Sequence, residues 1–282
     1  IDKLYYRCLT EGDTGISRDE FCIRLEADRD TRTLKITDNG MGMTKDELEK
    51  NLGTIAKSGS LDFKEEIEKK DEIDIIGQFG VGFYSAFMVS DKVSVLSKAY
   101  GEDQAYLWES SGADGYSITE AEKEGCGTEI TLTLKEDTDD DKYSEYLDTY
   151  KIKNLVTKYS DYIRYPIQMM VEKNRLKPGC EDKKPEEQEY ETYSELETLN
   201  SMVPLWKKSK SEISDEDYNN FYKEKFFDYT DPAKVKHTDV EGIVSYTALL
   251  FIPGQAPFNY YTKDFEKGLQ LYSSGVLIMD KC

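Results

Sequence analysis

Residues 77–83 have the sequence Gly-Gln-Phe-Gly-Val-Gly-Phe, with three glycines in seven positions. An apolar run (Ile73, Ile75, Ile76) precedes this stretch, and a helix-compatible run, 84–89, follows it. Glycines at the start of a helix let backbone N–H groups approach an anion closely, and the helix dipole favours negative charge there. The stretch therefore predicts an anion-binding loop, with a simple glycine turn as the alternative when it is taken alone.

The composition limits the kinds of partner. The chain has 282 residues, with 57 acidic and 37 basic side chains and a net charge of −20. This length allows two domains with hydrophobic cores. The acidic excess disfavours nucleic acid and anionic membranes as partners. No apolar run approaches the roughly 20 residues of a membrane span, and no signal peptide is recognisable, so we expect a cytoplasmic protein.

The cysteines and the single histidine argue against a zinc site. Cysteines stand at five widely separated positions without a Cys-x-x-Cys spacing, and His237 is the only histidine. Reduced thiols are the expected state of such cysteines in a cytoplasmic protein, and we expect no metal held by residues of this chain.

Hydrophobic periodicity predicts the elements of a first α/β domain. Apolar residues alternate through a β-hairpin over 22–38, and Thr44 with Glu47 forms the capping-box signature of a helix. Small and charged residues over 53–74 predict a mobile, solvent-facing segment. The further elements predicted are strands at 93–97, 104–108 and 128–134 and a helix over 143–164.

The composition changes after this helix. A Glu-, Lys- and Pro-rich stretch predicts a linker, and beyond it we expect an aromatic helix around 218–227 and strands at 243–252 and 275–279. The predicted domains are therefore 1–174, a charged linker at 175–198, and a second α/β domain at 199–282. Because the chain begins at Ile1 without methionine and ends at Cys282 without a visible terminus, we expect a fragment cut at both ends.

Four elements of the first domain together indicate a nucleotide site. Asp38, at a strand end, is able to accept a hydrogen bond from an exocyclic amine and so select adenine, and Gly42 allows close approach of a base. Lys57 and the glycine-loop amides suit phosphates, and Thr128 offers a hydroxyl near the base. Each has an ordinary structural explanation alone, but their order along one domain favours the site. The P-loop and the dinucleotide-binding glycine patterns are both absent from the sequence.

These motifs resemble those of a known family, the Hsp90 chaperones, in particular their bacterial form with its short linker. In the first domain the resemblance is carried by Asp38-Asn39-Gly40-Met41-Gly42-Met43-Thr44-Lys45 and by 51–59, 76–85 and 127–128. In the second domain it is carried by 240–242, 248–253 and 271–276. It therefore spans nearly the whole chain, and the second-domain motifs distinguish Hsp90 from related ATPases.

The resemblance implies the fold and the binding residues. The first domain would be an α+β two-layer sandwich of the Bergerat ATP-binding type, with a lid over about 53–82. The second α/β domain would be of the ribosomal protein S5 domain 2-like type. Asp38 would bind the adenine amino group, Gly42 and Thr128 would share its water network, and Met43 and Asn51 would line the pocket. The phosphates would lie near Lys57 and be cradled by Gly80, Val81, Gly82 and Phe83.

The resemblance also implies the activity: an ATPase and ATP-dependent chaperone that assists the folding of client proteins in the stress response. Its ligands would be ATP or ADP with Mg²⁺. In the family, the general-base Glu and the magnesium-binding Asn lie upstream of the residues that match Ile1, and an arginine that reaches the γ-phosphate lies beyond Cys282. No catalytic residue is therefore expected in this chain, which would be inactive alone. The whole protein would be a homodimer through a C-terminal domain.

Two questions stay open at this stage. Trp206, Phe226 and Phe227 are either client-contacting side chains or core residues, since aromatic helices usually pack inward. The alternatives to a chaperone are a histidine kinase, a DNA-repair or topoisomerase ATPase, and a non-enzymatic scaffold. A histidine kinase would require His237 as phosphoacceptor, and a DNA-acting ATPase would require a basic surface that a charge of −20 does not favour.

Overall fold

The computed structural model describes most of the chain in two compact units. The first unit comprises Ile1–Lys158 and Tyr165–Asn200, and the second comprises Tyr159–Arg164 and Ser201–Cys282. The described residues are 1–10, 15–53, 82–178, 184, 188–242, 245–256, 260–263 and 268–282, without the side chain of Arg18.

The first unit is built on one mixed β-sheet. Eight described strands hydrogen-bond in the order β5-β4-β3-β6-β2-β1-β7-β8, with β1 and β7 parallel and the other neighbours antiparallel. The strands are β1 (Ile23–Asp28), β2 (Thr33–Asp38), β3 (Ser90–Lys98), β4 (Ala105–Ser110), β5 (Tyr116–Ala121), β6 (Gly127–Leu134), β7 (Ile167–Leu176) and β8 (Tyr190–Thr198). The α/β prediction is thus confirmed at the level of a large mixed sheet.

The central strands have one apolar face and one polar face, because side chains alternate along each strand. Leu132 lies opposite Leu34 on β2 and opposite Val93 on β3, so three strands present apolar residues to the same side. On the other side, the Nζ of Lys35 lies 3.4 Å from a carboxylate oxygen of Glu129. The core of the unit therefore lies against one face of the sheet.

Helix α2 (Lys45–Leu52) covers this apolar face. Thr44 caps it, since its hydroxyl accepts a hydrogen bond from the N–H of Glu47, whose side chain in turn accepts from the N–H of Thr44. Leu48 is fully buried in a cluster with Val93 and Trp108. The predicted capping box is confirmed, and it begins the helix immediately after the loop that follows β2.

Four further helices lie within the described residues. The described ones are α1 (Asp2–Thr10), α3 (Ala86–Val89), α4 (Thr149–Tyr159) and α5 (Asp215–Phe226). A 3₁₀ turn over Gly82–Ser85 leads into α3, which agrees with the predicted helical run after the glycine loop. The helix predicted over 143–164 is shorter, because a 3₁₀ turn covers Tyr143–Leu147 and α4 ends at Tyr159.

The segment predicted as a charged linker contains regular structure. Strand β8 lies within 175–198 and pairs with β7 along its whole length, from Gln168 opposite Thr198 to Leu176 opposite Tyr190. Cross-strand ion pairs account for the charged composition: Lys173 with Glu195 (3.1 Å) and Arg175 with Glu191 (2.8 Å). A solvent-exposed β-hairpin with many charged side chains has the same composition as a charged linker. The two are distinguished only by the cross-strand pairing, which the composition does not show.

The second unit contains α5 and two small sheets. Strand β9 (Lys234–Val240) pairs with β10 (Tyr246–Ile252), and β11 (Leu271–Ser273) pairs with β12 (Val276–Met279). Trp206 packs among aromatic rings, with its centroid 4.8 Å from that of Tyr162 and 5.1 Å from that of Tyr272. The predicted helix and both predicted strand regions are present, whereas β9 and β11 were not predicted.

Removing the Leu48 side chain tests the contact that holds α2 on the sheet. We expect Leu48→Ala to lower the free energy of unfolding by about 3 kcal/mol, because the residue is fully buried and the neighbouring strands cannot close the cavity. Urea unfolding followed by circular dichroism measures this loss. Glu49→Ala, at the adjacent exposed position, should change it by less than about 0.5 kcal/mol. Equal losses in the two variants would contradict the packing described.

Candidate functional site at the ends of β2, β3 and β6

A row of three polar side chains lies at the end of the apolar face of the sheet; we call it the polar row. Asp38 is the register partner of Thr128, and Thr128 is the register partner of Ser97, so the three side chains project from the same face on neighbouring strands. Along these strands the preceding residues on that face are apolar, for example Ile36 and Val95. The row therefore marks the point where a packed core ends and hydrogen-bonding groups begin.

Ser97 joins the parts of this row. Its Oγ accepts a hydrogen bond from the N–H of Met43 (2.9 Å) and lies 2.9 Å from Oγ1 of Thr128 and 3.3 Å from the carbonyl oxygen of Gly127. Ser97 is fully buried and Thr128 is 7% exposed. The loop after β2, the end of β3 and the start of β6 are thus connected through one hydroxyl group.

Asp38 begins the loop and shapes it. Its Oδ1 accepts a hydrogen bond from the N–H of Gly40 at 2.8 Å. The next side chain, Asn39, accepts from the N–H of Cys22 (3.0 Å) and donates to the carbonyl of Glu20 (2.7 Å). Within the described part of the chain, Oδ2 of Asp38 makes no hydrogen bond, so the half-buried carboxylate keeps acceptor capacity for a ligand.

Two glycines let the backbone segments of the site approach closely. Gly42 has a φ of +65°, and a Cβ on it would lie 1.9 Å from the carbonyl oxygen of Lys98. Gly127 has a φ of +115°, and a Cβ there would lie 2.1 Å from the carbonyl oxygen of Asp38. Both positions exclude any side chain, through positive φ and through direct contact with a neighbouring strand end. The close neighbour of Gly42 is therefore the backbone of Lys98, and the approach of a base expected at this glycine stays a prediction.

The structure places the other expected residues as follows. The side chain of Met43 packs against the hydrophobic core, while its N–H bonds to Ser97. Asn51 is half-buried on α2, about one helical turn beyond Leu48. The ring of Phe83 packs against that of Trp108, with centroids 5.5 Å apart, and adjacent Gly82 is exposed. Because the ring of Phe83 is packed in this way, a ligand would contact the backbone of Phe83 and not its side chain.

Three of the predicted phosphate-binding residues, Lys57, Gly80 and Val81, lie outside the described residues, as does most of the predicted lid over 53–82. The described residues therefore assemble the part of the predicted site around Asp38, Gly42 and Thr128. A carboxylate acceptor, a hydroxyl and close-packed backbone at the end of an apolar face suit a flat heterocycle with an exocyclic amine.

The amino-acid sequence is similar to known ATPases and chaperones. Residues 18–137 match the family model of histidine kinase-, DNA gyrase B- and HSP90-like ATPases, and residues 145–191 and 177–282 match the Hsp90 protein model. The whole chain aligns with the chaperone protein HtpG of Clostridium acetobutylicum and of Bacillus licheniformis at 57% identity, and with that of Clostridium perfringens at 54%. The chain belongs to the Hsp90 family.

This Hsp90-family chain covers 44% of the length of each of these relatives. The match extends over all 282 of its residues, and so over both compact units. Within the described residues, no helix is long and apolar enough to cross a membrane.

Cys126 lies at the edge of the site in this Hsp90-family chain. Burial raises the pKa of its thiol, and the negative charge of nearby Asp38 raises it further against the opposing effect of Lys123. The thiol is therefore held in its neutral form, and it brings no second negative charge to the surroundings of the carboxylate.

Ser97 is the residue of the site that sequence reasoning missed. It lies at the end of the predicted strand 93–97, where Val93 and Val95 establish the inward-facing positions. A serine at the next inward position breaks the apolar pattern, and this break is the signal that identifies it. Serine is common at strand ends, so the pattern gains its meaning only from the facing Thr128.

Alanine at Gly42 tests whether close approach determines the loop. We expect Gly42→Ala to lower the free energy of unfolding by more than Gly101→Ala, its matched control. Gly101 also has positive φ (+85°), but no atom lies within 4 Å of the position that a Cβ would occupy there. Gly101→Ala should therefore lower the free energy of unfolding only by the cost of left-handed backbone strain, about 1–2 kcal/mol. Gly42→Ala adds a clash with the Lys98 carbonyl. Equal losses on urea unfolding would show that the contact is unimportant.

Proposed function

We propose that the chain forms the nucleotide-binding part and the start of the client-binding part of an ATP-dependent chaperone that assists protein folding. The observation that carries the proposal is the polar row of Asp38, Thr128 and Ser97 at the end of the apolar sheet face, closed by Gly42 and Gly127. Family membership and the whole-chain similarity to proteins described as chaperone protein HtpG support it.

Adenine is the base that this arrangement suits. In the proposal, the free acceptor of Asp38 binds the exocyclic amine, and Gly42 and Thr128 share the water network beside it. Met43 and Asn51 line the pocket from the loop and from α2. Lys57 lies near the phosphates, which the backbone of 80–83 cradles under a lid formed by about 53–82. This assignment makes ATP and ADP the ligands of the site.

Hydrolysis is proposed for the full-length protein, with no catalytic residue assigned in this chain. Mg²⁺ neutralises phosphate charge in reactions of this kind. Among the described residues, no group of three or more His, Cys, Asp or Glu side chains is placed to hold a metal ion. The proposal assigns no residue of this chain to the ion, and no step is assigned to the ion here.

The second unit is proposed as the start of a client-binding domain of the ribosomal protein S5 domain 2-like type. The proposed domains are 1–174 and 199–282, and the charged segment 175–198 between them contains strand β8, which pairs with β7. Trp206 is the proposed client contact. It is half-buried in its aromatic cluster, while Phe226 is 48% and Phe227 88% exposed. The ring of Phe226 also packs against those of Tyr222 and Phe251, with centroids 5.5 and 6.0 Å apart. We propose a cytoplasmic homodimer that acts in the stress response.

The environment of His237 argues against a histidine kinase. Its Nδ1 lies 2.8 Å from the hydroxyl of Tyr218, and its Nε2 lies 3.0 Å from the carbonyl oxygen of Trp206. A phosphoacceptor needs an exposed ring nitrogen, and both nitrogens of this half-buried ring are engaged. The net charge of −20 likewise argues against a DNA-acting ATPase.

Replacing the carboxylate tests the nucleotide assignment. We expect Asp38→Asn to weaken ADP binding by at least about tenfold, because a charge-assisted hydrogen bond contributes roughly 1.5–3 kcal/mol. An asparagine keeps a side-chain oxygen for the N–H of Gly40, so the loop should persist. Isothermal titration calorimetry on the full-length protein measures the affinity, and thermal unfolding without nucleotide checks the fold.

The matched control for this experiment is Asp139→Asn, which removes the same charge at an exposed position. It should bind ADP as the unmodified protein does. Undiminished binding by Asp38→Asn would remove the adenine assignment, and equal weakening in both variants would indicate a general charge effect instead of a contact at the site.

A client assay tests the chaperone activity. The full-length protein should suppress aggregation of a heat-denatured client, and ATP should change the extent of suppression because lid closure couples nucleotide binding to conformation. Light scattering at matched protein concentrations provides the measurement, with serum albumin as the inert protein control. No suppression with or without ATP would count against the proposed activity while leaving the nucleotide site intact.

A further inference from the structure

Asn39 is a half-buried residue of the site for which the proposed function gives no role. It follows Asp38 directly, and its side-chain amide is hydrogen-bonded to the backbone that leads into β1. Its Oδ1 accepts from the N–H of Cys22 (3.0 Å), and its Nδ2 donates to the carbonyl oxygen of Glu20 (2.7 Å). Both directions are determined, because a backbone N–H only donates and a carbonyl oxygen only accepts.

The side chain of Asn39 takes the place of its own backbone in the β1–β2 ladder. Opposite residues in an antiparallel pair alternate between hydrogen-bonded and non-hydrogen-bonded pairs. Ile23 and Asp38 are opposite each other and form a non-hydrogen-bonded pair, since the N–H of Ile23 donates to the carbonyl of Pro166 on the side of β7. The next pair, Cys22 and Asn39, would exchange backbone hydrogen bonds. The N–H of Cys22 instead donates to the amide of Asn39, so the backbone of Asn39 is able to turn out of the sheet.

The backbone that this amide holds is anchored by packing. Phe21 lies between the two residues that bond to Asn39 and is 1% exposed. Its ring packs edge-on against those of Tyr5 and Tyr165, with centroids 6.1 and 6.2 Å apart. The amide of Asn39 therefore attaches the turn after β2 to a packed part of the first unit.

The other side of this turn is in contact with the start of β6. A Cβ on Gly127 would lie 2.9 Å from the Cα of Asn39 and 2.1 Å from the carbonyl oxygen of Asp38. Between these two neighbours, the turn places the N–H of Gly40 2.8 Å from Oδ1 of Asp38. The carboxylate is thus held through one oxygen. Its second oxygen, which makes no hydrogen bond within the described residues, is available to a ligand.

We propose that Asn39 is a positioning residue that sets the orientation of the Asp38 carboxylate for the exocyclic amine of adenine. By pairing through its side chain, Asn39 lets the backbone turn at the end of β2. This turn brings the N–H of Gly40 to one carboxylate oxygen and leaves the other for the amine. The inference rests on the proposed nucleotide site and deepens it.

Alanine at position 39 would leave the N–H of Cys22 without its side-chain acceptor. The backbone carbonyl of residue 39, which is the usual acceptor in an antiparallel ladder, would then take over and lengthen the strand by one residue. This change moves the N–H of Gly40 away from Asp38, and the carboxylate loses its fixed orientation. A purely structural role of Asn39 would instead weaken the binding of every nucleotide by the same factor.

The test compares ADP with purine riboside diphosphate, in which hydrogen replaces the exocyclic amine. Since the sugar and the phosphates are identical, the ratio of the two affinities measures the contact with the amine. Calorimetry on the full-length protein gives this ratio for the unmodified protein and for Asn39→Ala, and thermal unfolding checks each fold. The matched control is Asn174→Ala, because Asn174 is exposed on β7, where its amide oxygen accepts from the hydroxyl of Thr192.

We expect the unmodified protein to bind ADP at least about tenfold more tightly than the analogue, the effect of one charge-assisted hydrogen bond. In Asn39→Ala this preference should fall by at least about threefold, and in Asn174→Ala it should not change. If Asn39→Ala does not fold, the nearly isosteric Asn39→Asp takes its place, because its second oxygen opposes the carbonyl of Glu20. The added charge acts on both diphosphates alike, so the same fall in preference is expected.

A double-mutant cycle tests whether Asn39 acts through Asp38. In the Asp38→Asn protein, Asn39→Ala should weaken ADP binding by a smaller factor than it does in the unmodified protein, because the oriented carboxylate is already absent. Equal factors in the two proteins would show that Asn39 affects the site by another route, and would contradict the proposed role.

An unchanged preference for ADP in a folded Asn39 variant would also overturn the inference, whether or not both affinities fall. Failure of the proposed function looks different, because it is visible before any substitution at Asn39. The unmodified protein would then bind no ADP, or would bind ADP and the analogue equally, and the role of Asn39 would fail with it.

Discussion

A slip of one residue between β2 and β6 would turn Leu34, Ile36 and Asp38 to the opposite face of the sheet, because side chains alternate along a strand. The observed register instead places Ile36 opposite Ile130 and Asp38 opposite Thr128. The same register fixes where the core is and where it ends. The packing under α2 and the composition of the candidate site therefore depend on one constraint, the pairing of β2, β6 and β3.

Burial of apolar side chains determines this register, and the register in turn places the polar residues of the site. The apolar residues of the central strands gain free energy only when all of them face α2 together. Asp38, Thr128 and Ser97 follow the same alternation, so they are carried to that face even though burial of polar groups is costly. They remain stable there because they are at the strand ends. Asp38 and Ser97 accept hydrogen bonds from the loop N–H groups of Gly40 and Met43, and the hydroxyl of Thr128 is hydrogen-bonded to that of Ser97.

Local patterns predicted the elements that have local causes. The hairpin over 22–38 and the Thr44 cap follow from alternation and from one side chain–backbone exchange, and both are present. The β7–β8 hairpin was missed because its strands are stabilised by charges on the partner strand, such as Glu191 for Arg175. The sequence shows the charges but not their pairing, and unpaired charges indicate a linker.

The site was predictable to the same extent and for the same reason. Asp38 and Thr128 are recognisable because glycines stand near them in the sequence, and a glycine in such a position indicates that there is no room for a side chain. Ser97 is not, since its importance arises from two neighbours that are 54 and 31 positions away along the chain. Gly127 combines a local property with a long-range cause. The sequence shows that it lacks a side chain, but only the structure shows why: the carbonyl oxygen of Asp38 occupies the place of a Cβ. The glycines thus bring the strand ends within hydrogen-bonding distance, and only at that distance do the buried hydroxyl groups of Ser97 and Thr128 meet.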